Sequence, residues 1–170
     1  GDLQPGVGQG ARDGRRAPQV ARAQQVLDVD PTYREALNNL GGVMVVLGRT
    51  EEAMAVYGRV VAAHPNFAAA YFNMGQLKVQ ENDFAAGIRF LKRAVELEPE
   101  ASSYFELGNV YVRQQDLEEA ARAYRQACQL DGQGVAYFYN LGEVLLGLGQ
   151  RQMEAGNASA ALQRWHRART

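Results

Sequence analysis

The chain has 170 residues, 46% of them hydrophobic and 22% charged, which suits one domain or a short repeat array with a buried core. Its net charge of −1 argues against a chain-wide basic field for nucleic acid or anionic lipid. The single cysteine, Cys128, excludes an internal disulfide, and no run of about 18 apolar residues suggests a membrane-spanning segment.

Residues 1–13, "GDLQPGVGQGARD", carry Gly1, Gly6, Gly8, Gly10 and Pro5, and are expected to be irregular. They show no leader, which favours the cytoplasm; because the chain starts at Gly1, a removed upstream signal or anchor is the alternative. Residues 13–31 align with residues 47–65 at a 34-residue shift, Gly14–Arg15 falling on Gly48–Arg49. Residues 14–31 therefore read as the second helix, over 18–29, of a partial unit. Its first helix should lie within 1–13.

Four fuller units follow, over residues 32–65, 66–99, 100–132 and 133–170. Each has a glycine at a fixed place, Gly41, Gly75, Gly108 and Gly142, at spacings of 34, 33 and 34. An apolar residue precedes each glycine: Leu40, Met74, Leu107 and Leu141. Three residues earlier stand Leu37, Tyr71, Tyr104 and Phe138. Spacings of three, four and seven place these on one face of a helix, as in Leu37, Leu40 and Met44. Twelve residues past the glycine come Ala53, Gly87 and Ala120, then bulky Tyr57, Leu91 and Tyr124. A mid-helix glycine costs about 1 kcal/mol against alanine, which makes sense where a second helix approaches closely. Turns are legible at "GRT" (48–50), "NDF" (82–84) and "QDL" (115–117), the first reading as a stop followed by a threonine cap. Pro31, Pro65 and Pro99 bound the units, with Gly132 at the corresponding place in the third.

The fourth unit is longer. Ala161, Trp165 and Ala168 arrive seven residues late, close to two helical turns. This predicts one long helix over 135–155, broken at "GNAS" (156–159). A loop at "GLGQ" (147–150) is the alternative.

These offsets resemble the tetratricopeptide repeat, a 34-residue helix–turn–helix unit patterned W-x2-L-G-x2-Y, A-x3-F and P. The likeness covers residues 14–170. The first position of the pattern holds Leu, Tyr or Phe here in place of Trp. It implies an all-α, right-handed α-solenoid of antiparallel helix pairs, a tetratricopeptide superhelix whose first helices line a concave groove.

Enzymatic signatures are missing: no phosphate loop, HExxH, CxxC or GxSxG pattern occurs. Cys128 beside Ala127 reads as a packing residue, and His64 before Pro65 as a solvated loop residue. Glu51–Glu52 and Glu118–Glu119 sit in first helical turns, where the helix dipole accounts for them. Arginines cluster at both ends, but Asp2, Asp13, Asp28 and Asp30 interrupt the first cluster, so a solvated surface is expected rather than nucleic-acid binding. No catalytic residue, cofactor or metal site is expected, and the chain reads as a non-catalytic interaction module.

The resemblance implies which residues face the groove. The fifth position of the repeat gives Asn38, Phe72, Phe105 and Tyr139. The sixth gives Asn39, Asn73, Glu106 and Asn140, and the ninth Gly42, Gln76, Asn109 and Glu143. Tyr71, Tyr104 and Phe138 would then pack between helices, while Phe72, Phe105 and Tyr139 form a groove-facing ladder. Interleaved amides suit a peptide, because a carboxamide both donates to and accepts from backbone. The series is similar to that in the repeat arm of O-linked N-acetylglucosamine transferases, where such asparagines hold substrate backbone. A carboxylate clamp of the chaperone-binding type is not expected: its places hold Asn38, Gly42, Asn73, Ser102 and Glu106, and only Asn73 fits. The expected partner is thus a protein or peptide segment in the groove. Two alternatives are a scaffold that self-associates through its repeat ends, with only "HRART" after Trp165, and the recognition arm of a larger enzyme. The Ala-, Gly- and Arg-rich composition fits a bacterial source.

Overall fold

The computed structural model describes the backbone of residues 10–168, and the side-chain surroundings of residues 18 and 20–159. Among the described residues there are eight helices and no strand. They are α1 (Gly10–Val29), α2 (Arg34–Val46), α3 (Thr50–Ala63), α4 (Ala68–Gln80), α5 (Phe84–Leu97), α6 (Ala101–Arg113), α7 (Leu117–Leu130) and α8 (Val135–Ala168). They fall into two compact units, one through Glu98 and one from Pro99. Among the described residues no helix is long and apolar enough to cross a membrane.

In the first unit α2 packs on α3 and α4 on α5, with α1 against α2 and α3 against α4. Short turns make each pair antiparallel. The repeat glycine explains how a pair closes. A Cβ built on Gly41 would lie 2.5 Å from the ring of Tyr57, and one on Gly75 would lie 2.7 Å from Leu91. Any larger residue would force the helices apart. Tyr57 and Leu91 are fully buried in these slots, each contributing about 2–3 kcal/mol of apolar transfer free energy. Leu37, Val60, Ala70 and Leu77 complete a core continuous across the unit's helices.

In the second unit α6 packs on α7 and α7 on α8. Gly108 opens the same kind of slot, filled by the Tyr124 ring, and Ala120 and Ala127 are fully buried beside it. Cys128 is buried and free, as its packing role requires.

The turns repeat one backbone device. Gly48, Asn82 and Gln115 each have a left-handed φ, at 74°, 61° and 63°. Each stands seven residues past its repeat glycine and ends the first helix of its pair. Asp83 and Asp116 then cap the next helix, accepting from the Ala86 amide at 3.0 Å and the Glu119 amide at 3.2 Å. The first turn differs from expectation: Arg49 is the N-cap, with no side-chain cap bond, and Thr50 is the first helical residue.

Both ends also depart from the sequence reading. Residues 10–13, expected to be irregular, begin α1, which runs through Gly14, Arg15 and Pro18 without the expected turn; residues 1–9 lie outside the described residues. At the other end no turn forms at residues 156–159 or at 147–150, because α8 is one helix of 34 residues. The same physics serves both. A turn is enforced when the helix beyond it has a face to pack on. Without that contact, Gly14 or Gly156 costs a helix only about 1 kcal/mol, and the alanines around 155–161 favour continuation.

Candidate functional site

Five of the ten candidate residues lie in each unit. In the first, Asn38 and Asn39 come from α2, and Phe72, Asn73 and Gln76 from α4. Packing of the two helices brings Asn73 Nδ2 to donate to Asn38 Oδ1 at 2.9 Å, both side chains half-buried. The pair uses one donor and one acceptor. Asn73 Oδ1 and the Asn38 amide N–H groups keep their capacity for another partner.

Beside this pair lies a cavity of about 850 Å³, to which Asn38, Asn39 and Asn73 contribute. Tyr57 forms part of its wall, and burial pushes the phenol up to about 12, so this hydroxyl stays protonated at neutral pH. Another part of the lining comes from α1, through Arg22 and Val26. Glu35 adds an anionic rim. Arg34 Nε donates to it at 2.8 Å and holds its carboxyl below the usual range, the hydrogen bond being the main cause. Phe72 and Gln76 are half-buried on α4 and do not line this cavity.

In the second unit Asn109 is the hub. Its Oδ1 accepts from the Tyr124 hydroxyl at 2.7 Å and from Asn140 Nδ2 at 3.5 Å. Both lone pairs of that oxygen are therefore engaged. Burial raises the Tyr124 phenol too. A cavity of about 350 Å³ adjoins the hub, lined also by Val112, Arg113, Glu143 and Val144.

The aromatic ladder is not uniform. Phe105 is half-buried, tilted against Tyr124 and Tyr137 at centroid distances of 5.6 and 5.0 Å, and so is partly a packing residue. Tyr139 is 65% exposed. Phe138, expected between helices, is 50% exposed, because no helix covers this face of α8 among the described residues. His64, expected to be solvated, is half-buried, its Nε2 2.7 Å from the Thr32 carbonyl oxygen. Sequence reasoning missed Arg22, Glu35 and Val46 on the first cavity. Glu35 and Val46 hold the second and thirteenth positions of the repeat, which are groove positions, so the pattern could have found them. Among the described residues no cluster of His, Cys, Asp and Glu could hold a metal ion.

Comparison with known proteins bears on this arrangement. Human tetratricopeptide repeat protein 6 is 28% identical over 69 residues, 41% of this chain and 13% of that protein, so the chain spans only a small part of its length. The crystal structure of MamA superposes with a TM-score of 0.70 at 22% identity, covering 95% of each chain. That of YrrB, a tetratricopeptide protein with an unusual peptide-binding site, gives 0.69 at 16% identity, covering 75% of this chain and 66% of that one. At these identities the likeness shows the fold alone. The model of the tetratricopeptide repeat matches residues 11–74 and 47–110, and a further TPR repeat model matches residues 108–149. The repeat glycines and their filled slots thus have a family counterpart along most of the sequence, and the chain belongs to the tetratricopeptide repeat family, with the all-α solenoid fold of that family.

Proposed function

We propose that the chain is a non-catalytic protein-interaction module that takes an extended peptide or partner segment at its asparagine-edged cavities, chiefly the one beside Asn38 and Asn73. Family membership supports a protein-interaction scaffold. The observation that carries the finer reading is the Asn73–Asn38 pair at the edge of the 850 Å³ cavity. A peptide backbone offers alternating N–H and C=O groups, and the pair keeps one acceptor and one donor group for them. Val26, Val46 and the Tyr57 ring give side chains an apolar wall, while Arg22 and Glu35 supply charge of both signs. YrrB's peptide-binding site gives a precedent in the same fold.

The test is selection of a displayed random-peptide library on the whole chain, followed by titration of the enriched peptides. Asn73→Ala is expected to weaken binding about three- to tenfold, the worth of one or two ligand hydrogen bonds. Phe105→Ala is expected to weaken peptides that use the second unit. Equal affinity for wild type and Asn73→Ala, or no enrichment at all, would remove the assignment.

A further inference from the structure

α8 carries a register that the straight helix does not use. In the closed hairpins the buried large residue stands 16 positions past the repeat glycine: Gly41 to Tyr57, Gly75 to Leu91, Gly108 to Tyr124. In the fourth unit the same spacing starts at Gly149 and ends at Trp165. Several flanking and intermediate positions agree, though Gln152 falls where Met44 and Tyr111 are buried. Leu145 and Leu148 stand where Leu37 and Leu40 stand relative to Gly41. Seven past Gly149 is Gly156, the place at which Gly48, Asn82 and Gln115 take left-handed φ. Glycine enters that region with the least strain of any residue. Asn157 follows where Asp83 and Asp116 cap their helices, and asparagine is an equally good N-cap. Ala161 and Ala168 fall on the places of Ala120 and Ala127.

The surroundings agree with the register. A Cβ on Gly142, Gly149 or Gly156 would meet nothing within 4 Å, whereas the three matching glycines of the other pairs have filled slots. Leu145 is 44% exposed against 1% for Leu37. Among the described residues Arg151 is the last hydrogen-bonded anchor of α8, its guanidinium donating to the Gln115 carbonyl at 3.2 Å and to the Gln115 side-chain oxygen at 3.0 Å. Residues 152–159 are all exposed, so a bend at Gly156 removes no buried side chain among them.

We propose that α8 is the open form of a fourth helical hairpin. Residues 158–168 fold back at Gly156–Asn157, and Trp165 enters the slot at Gly149 and covers Leu145 and Leu148. The occupant of this face is the chain's own tail. In a straight helix, positions 149 and 165 lie about 160° apart around the axis. Two straight copies laid antiparallel therefore cannot fill both slots on one shared face, whereas a turn at Gly156 resets the phase. Closure within one copy satisfies the register directly.

Trp165 is the chain's sole tryptophan, so its fluorescence reports closure. The whole chain is compared with Gly149→Leu, which fills the slot, and with Gly156→Ala/Asn157→Ala, which removes turn and cap. Both change positions on the open helix, and circular dichroism checks that they stay folded. Wild type is expected to show blue-shifted emission and reduced acrylamide quenching, independent of protein concentration. The Gly156→Ala exchange alone shifts the open-to-closed ratio about four- to fivefold toward open, and the cap loss adds to it. Emission and quenching equal in all three proteins and typical of solvated indole would overturn the proposal. Protection that grows with concentration would also overturn it, by placing the tail on a second copy.

Discussion

The α6–α7 pair and α8 start from the same repeat glycine and end in different states. At Gly108 the ring of Tyr124 fills the slot, Asp116 caps the following helix, and Gln115 makes the left-handed turn between them. At Gly142 the slot is open, the flanking Phe138 is half exposed, and the helix runs on to Ala168. The glycine is thus a permissive element. It allows close approach, but a hairpin forms only where a large residue arrives in register to occupy the gap and a turn residue stands between.

The largest effects should come from emptying a filled slot. Leu91→Ala, at a fully buried side chain, is expected to lower stability by about 2–5 kcal/mol in denaturant titration. Leu145→Ala, at a leucine half-exposed on straight α8, should cost less than about 1 kcal/mol in the Gly156→Ala/Asn157→Ala background, where the tail stays open. Filling the slots gives a difference of sign. Gly108→Ala drives a methyl into the Tyr124 ring and should cost about 1–3 kcal/mol. Gly142→Ala meets open space and should stabilise the helix by about 0.5–1 kcal/mol. Equal effects at the two glycines would break the comparison. The caps give the smallest contrast. Asp116→Ala should cost about 1 kcal/mol, read as a fall in melting temperature, whereas Asn157→Ala should cost nothing in the Gly149→Leu background, where the tail cannot close.

Much of the fold was legible because its determinants are local and repeated. The spacing of Gly41, Gly75 and Gly108, with a bulky residue 16 positions on, fixes which helices pair and where they touch. The groove-facing places expected for Asn38 and Asn73 came from the resemblance to the repeat family. What the sequence did not reveal depends on neighbours. Pairing of Asn73 with Asn38 requires two side chains 35 residues apart to meet. Phe105 reads as a groove residue until Tyr137 packs on it from the next helix. The cavity wall from α1 was missed although Arg22 and Val26 lie in the helix expected over 18–29, because which of its residues reach the cavity depends on how α1 packs against α2. The straight course of α8 was hidden for the opposite reason. Gly156 and Asn157 spell a turn, yet α8 runs through them as one helix.

The functional claim rests on the two asparagines at the first cavity. The most direct measurement follows the side-chain NH2 cross-peaks of Asn38 and Asn73 by nuclear magnetic resonance as a library-selected peptide is added. Saturable shifts of both, with the amides around Tyr57 and Val46 moving at the same rate, are predicted. Asparagine cross-peaks that stay fixed while residues elsewhere shift to saturation would contradict the account.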